Sequence, residues 1–152
     1  MKIEAHVEKW RRFDALRARF DPGKEFELWY WTSLSGGTAI INAALHAAGL
    51  TDENGYLATQ IPEVYVVMDG VDRWRHAIGF RCDLIHVGLP PVEAPLTQAL
   101  QRAFAAMDVM EHYRDPCIRG DHPITAEVTM ACDRAYAEIV AAARAALAER
   151  RP

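Results

Sequence analysis

Apolar residues recur along the start of the chain at steps of three and four: Ile3, Val7, Trp10, Phe13, Leu16 and Phe20. Glu8, Lys9, Arg11, Arg12, Asp14, Arg17 and Arg19 fill the other faces. The pattern predicts an amphipathic helix from Ile3 to Phe20. Asp21-Pro22-Gly23 ends it, with Asp21 placed to cap the next helix and Pro22 to occupy that helix's first position.

The second helix is predicted from Gly23 to Ala48. Gly49 is its stop, and Thr51-Asp52-Glu53-Asn54-Gly55 follows as a turn. Between Leu28 and Thr51 there are 24 residues without a single Asp, Glu, Lys or Arg. Placed about 100° apart, Trp31, Ser35, Thr38, Asn42, His46 and Gly49 fall in one narrow sector. Leu28, Trp29, Leu34, Ile40, Ile41 and Leu45 occupy the rest. A polar stripe on an uncharged helix must find hydrogen-bond partners. It either meets them in neighbouring helices or forms the wall of a pocket or a dimer seam. Gly36-Gly37 removes side chains mid-helix, which implies close approach of another backbone or a kink.

Residues 55–90 fit two patterns. Val64-Tyr65-Val66-Val67-Met68 followed by Asp69-Gly70 reads as a hairpin. Val64, Val67, Val71, Trp74, Ile78 and Ile85 also make a helical stripe, with Pro62 suited to a helix start. The helical context tips the reading toward helix, although Gly70 and Gly79 would each cost it about 1 kcal/mol.

Gly88-Leu89-Pro90-Pro91 is a firm break. A further helix is predicted from Val92 to Tyr113, burying Leu96, Leu100, Ala103, Phe104, Met107 and Met110. Residues 115–123 cannot be helical throughout. The last helix is predicted from Ile124 to Arg150, with Val128, Cys132, Ala135, Ile139, Ala142, Ala146 and Leu147 inward. The expected fold is all-α: an up-and-down bundle of four to five helices in one domain, 1–152, with an irregular or hairpin-like segment around 55–90.

Composition narrows the function classes. Half of the 152 residues are apolar and a quarter are charged, a balance that excludes disordered and low-complexity chains. The net charge of −4 argues against a nonspecific nucleic-acid binder, which needs a basic surplus. Thr32, Ser33, Ser35, Asn42 and His46 dilute the uncharged stretch too far for a membrane span, and its flanks lack basic clusters. Three cysteines without a CxxC read as free thiols in a reducing compartment. The polar start, Met1-Lys2-Ile3-Glu4, lacks the apolar run of a secretory signal. A cytoplasmic location is expected.

Six histidines are present, with no HxH, HExxH or helical ExxH spacing, so no metal ligands or cofactors are assigned. A metal site assembled from histidines distant in sequence is the one form these spacings leave open. Ser33 and Ser35 lie mid-helix rather than on a nucleophile elbow. Cys117, between His112 and His122, is the only cysteine in a predicted loop.

Two groupings carry candidate chemistry. Glu111-His112-Tyr113-Arg114-Asp115 and Arg119-Gly120-Asp121-His122 meet where one helix hands over to the next. They form either a solvated ion-pair surface or a rim where Arg119 and His122 hold an anion. Arg81-Cys82-Asp83-Leu84-Ile85-His86 places an arginine five positions before a histidine, ahead of Gly88 and Pro90-Pro91. This resembles the Arg-x4-6-His signature of HEPN domains, which are helical bundles. The resemblance implies a paired, metal-independent ribonuclease in which Arg81 and His86 support attack of a ribose 2′-hydroxyl on its phosphate.

The leading expectation is a non-catalytic module that dimerises or binds a small molecule through Trp31, Thr38, Asn42, His46, Arg119 and His122. The ribonuclease using Arg81 and His86 is the alternative. Neither reading calls for a membrane.

Overall fold

A computed structural model describes residues 1–51, 83 and 95–149. The described residues form four α-helices: α1 (Ile3–Arg17), α2 (Phe26–Ala47), α3 (Gln98–Arg114) and α4 (Ala126–Ala148). No described residue is in a strand. The protein is an all-α helical bundle. The hairpin-or-helix segment around 55–90, apart from Asp83, lies outside the described residues.

Helix α2 is the hub, packed against α1, α3 and α4. Sixteen of its 22 residues are buried. Cross-contacts fix the helix directions. Arg17 meets Ser33 while His6 meets His46, so α1 runs antiparallel to α2. Tyr30 bonds Met110 and Gly37 faces Met107, so α3 is antiparallel to α2 as well. Helix α4 runs parallel to α2, with Tyr136 beside Gly36 and Ile139 beside Gly37.

The Gly36-Gly37 pair serves side chains rather than a backbone. A Cβ on Gly36 would lie 3.0 Å from the Tyr136 hydroxyl and 3.3 Å from Phe13 Cβ, and one on Gly37 would lie 2.8 Å from Met107 Cε. Space for large side chains from three helices explains the two glycines in the buried middle of α2.

Arg17 ties the outer helix to this hub. Its guanidinium lies over Trp29 at 4.6 Å and over Tyr136 at 4.5 Å. Its Nε donates to Ser33 Oγ at 2.8 Å, and it also pairs with Asp133. A residue that the pattern placed on the solvent face is thus a clip between α1, α2 and α4.

Several boundaries differ from the periodicity, each for a local reason. Helix α1 stops at Arg17, three residues short of Phe20, and closes in a turn. Asp21 does not cap α2. Its Oδ1 accepts from Gly23 N in an Asx turn, and its carbonyl accepts from Lys24 and Glu25, so α2 starts at Phe26 rather than Gly23. Helix α3 begins at Gln98 rather than Val92, because Thr97 caps it by accepting from Leu100 N. Thr125 caps α4 in the same way, so that helix begins at Ala126. Between α3 and α4 the chain makes one π-helical turn, Asp115–Arg119, with Pro116 in its first turn.

None of the helices among the described residues is long and apolar enough to cross a membrane.

Candidate functional site

The C-terminal end of α2 is shaped by one glycine. Gly49 has φ +69°, its N–H bonds the His46 carbonyl, and Leu50 N–H bonds the Leu45 carbonyl. This is a Schellman motif, and only a residue at ease in the left-handed region completes it. The reversal brings Thr51 back over the last turn of α2. Its hydroxyl lies 2.5 Å from Nδ1 of His46, and both residues are buried.

The other ring nitrogen of His46, Nε2, lies 2.9 Å from Oδ1 of Asp83. His6, from α1, puts its own Nε2 3.0 Å from the same oxygen. The amino group of Met1 reaches it as well, at 2.8 Å. The two imidazole side chains are almost completely enclosed, while that of Asp83 is 20% exposed. Among the described residues, His6 Nδ1 is buried without a hydrogen-bond partner. Burial pushes the Asp83 carboxyl up, but the hydrogen bonds from His46, His6 and the amino terminus outweigh it. They hold the group well below the usual carboxylate range, so Asp83 is ionised at neutral pH.

From this cluster a cavity of about 450 Å³ extends along α2. Trp31, Ser35, Thr38 and Asn42 line it from α2, together with Leu34 and Ala39. His6, Lys9 and Phe13 line it from α1. Glu111 and Arg114 at the end of α3, and Arg119 from the π-turn, close the part beside Trp31. Trp31 and Asn42 are separated by three turns of helix, roughly 16 Å.

The polar groups of α2 meet their partners in two ways. Asn42 Nδ2 donates to the Thr38 carbonyl at 3.0 Å, while Thr32 and Ser33 donate back to carbonyls one turn earlier. The indole of Trp31 donates to Glu27 at 3.4 Å. Glu111, buried, pairs with Arg114 at 2.8 Å, and Arg119 reaches Asp115 at 3.2 Å.

No protein-family model, curated protein or solved structure matches the chain. The site therefore rests on its own geometry.

The candidate residues fall into three groups. Trp31, Thr38, Asn42 and Arg119 share the cavity, and His46 stands at its Asp83 end. His122 is exposed and is not among the residues lining the cavity; its backbone N–H bonds the Pro116 carbonyl. Arg81 and His86 lie outside the described residues.

His6, Thr51 and Asp83 were missed by the sequence reading. His6 carried a readable signal: it sits three residues after Ile3 and four before Trp10, on the apolar stripe of α1. Thr51 read only as part of a turn. Nothing local marked Asp83. No metal ligands were assigned, because no local spacing supports them, yet the fold gathers His6, His46 and Asp83 from three separate segments. Their ligand-type atoms all lie within 4.8 Å of one another.

Proposed function

We propose that this chain is a small-molecule-binding helical module. Its ligand lies along the uncharged face of α2, with an apolar body against Trp31, Phe13 and Leu34 and an anionic group toward Arg119. One observation carries the reading. The uncharged face of α2, with its polar stripe, lines a cavity of about 450 Å³, within the range of about 300–1,000 Å³ typical of ligand sites. The lining sets the apolar and aromatic surface of Phe13, Trp31, Leu34 and Ala39 beside polar and charged side chains that can orient an amphipathic ligand.

Arg119 supports the anionic end. It is exposed, its partner Asp115 is exposed too, and such a pair contributes little to stability. An incoming carboxylate or phosphate could therefore replace Asp115 at little cost.

The test is thermal unfolding and calorimetry against a panel of small aromatic and aliphatic carboxylates and phosphates. A ligand present at about 100 times its Kd stabilises by about 2.7 kcal/mol. Thr38→Leu, which narrows the cavity midway along α2 and removes a polar group from its wall, should abolish the gain, and Arg119→Ala should weaken it for the anionic compounds only. Sedimentation of wild type and Thr38→Leu separates ligand binding from pairing of two copies through the same face. If no compound stabilises the wild type, or if Thr38→Leu binds as well as wild type, the proposal fails.

A further inference from the structure

Asp83, His6 and His46 form an arrangement that a simple structural hydrogen bond does not require. Two buried imidazoles from different helices converge through Nε2 on one carboxylate oxygen, at 3.0 and 2.9 Å. We propose that His6, His46 and Asp83 bind a divalent first-row transition metal ion, with zinc or ferrous iron the best match to the donor set. The inference deepens the ligand-site reading, because His6 and Asp83 also line the cavity in which that ligand would lie.

The dimensions fit. Metal–ligand bonds of about 2.0–2.1 Å in a tetrahedral site put neighbouring donor atoms roughly 3.3 Å apart. The two nitrogen–oxygen separations need only a few tenths of an ångström of spreading to reach that, and all three donor atoms lie within 4.8 Å of one another. Two imidazole nitrogens and one carboxylate oxygen suit zinc and iron better than magnesium or calcium, which prefer all-oxygen shells. Three protein ligands leave at least one position open, which is the arrangement of sites that exchange small ligands.

The outer contacts fit as well. Metal-bound histidine normally has its second nitrogen held by another group, which fixes the ring. For His46 that group is Thr51. A hydroxyl both donates and accepts, so it accommodates either tautomer. When Nε2 gives up its proton to bind the ion, the ring carries a proton on Nδ1 instead and donates it to Thr51 Oγ1. The ionised Asp83 supplies the negative charge, and it already attracts one cation, the Met1 ammonium at 2.8 Å.

The experiment titrates the full-length, untagged chain, dialysed against a chelator, with zinc chloride and separately with cobalt chloride as a spectroscopic probe. One equivalent per chain should bind, with the visible bands of low-coordinate cobalt. His46→Gln and Asp83→Asn should abolish binding in protein whose helical circular dichroism is unchanged. Thr51→Val should weaken it about 10- to 100-fold. His122→Ala, on the exposed turn, should bind as wild type does. Absence of saturable binding by the folded wild type, or unchanged binding in both His46→Gln and Asp83→Asn, would overturn the proposal. Thr38→Leu keeps the two readings apart. If the metal site is correct this variant still binds the ion, whatever becomes of the organic anion. Anion binding without metal binding overturns the metal site alone.

Discussion

The rings of His6 and His46 lie with their centroids 5.2 Å apart, each directing Nε2 at Oδ1 of Asp83. The antiparallel course of α1 and α2 makes this meeting unavoidable, since it pairs the first turn of one helix with the last turn of the other. Both rings donate from Nε2 in the metal-free protein. Long-range nitrogen–proton NMR should therefore show a proton on Nε2 of both residues. An Nε2 without a proton in both would contradict the geometry.

Helix positions and core faces were legible because they depend on local periodicity. Leu100, Ala103, Met107 and Met110 are buried on α3, and Val128, Cys132, Ala135 and Ile139 on α4. Helix ends were less legible, because they depend on which of several nearby side chains wins the cap. Thr97 prevailed over the earlier start at Val92, and Asp21 bonded its own turn instead of α2. Of the site, the polar face of α2 could be read, since its residues share one helix. Asp83 could not, since only the fold brings it to His6 and His46. Arg17 was misread as a surface charge because a charge sandwiched between aromatic rings has no signature in spacing.

Arg17→Ala should lower stability to urea by about 2 kcal/mol, through the lost hydrogen bond to Ser33 and the two aromatic faces. Arg17→Lys should recover less than half of that, because an ammonium has no planar face to stack. Wild-type stability in Arg17→Ala would show that the clip contributes nothing.

The neighbouring glycines should respond in opposite directions. Gly37→Ala meets only the terminal methyl of Met107 at close range, so the gain in helix propensity, up to about 1 kcal/mol, should prevail. Gly36→Ala meets the Tyr136 hydroxyl, which is anchored to Asp14 at 3.0 Å. Its net effect should be a loss of about 1 kcal/mol. Equilibrium unfolding of the two variants checks the sign of each.

Stability should fall on the alkaline side. Burial, reinforced by Cys117, pushes the Cys132 thiol up to about 12, whereas an unfolded thiol titrates near 8.5. Between those values the folded chain holds one more proton than the unfolded chain. Stability is then intact below the unfolded pKa and falls as pH rises, by about 1.4 kcal/mol per pH unit for that proton. Cys132→Ala should flatten the slope between about pH 9 and 10, whatever its effect on absolute stability. An unchanged slope would remove Cys132 as its source.

A ligand module of this kind leaves RNA intact. Structured RNA incubated with the protein in a chelator should survive. Cleavage that disappears in His86→Ala would move the function to Arg81 and His86.

The most direct measurement is an amide NMR titration with the organic anion that stabilises the protein most. Saturable shifts at Trp31, Ser35, Thr38, Asn42 and Arg119, absent in Thr38→Leu, are the predicted result. Shifts confined to the separate concavity around Leu50, Thr97 and Ala146, or no saturable shifts with any compound, would contradict a ligand site along α2.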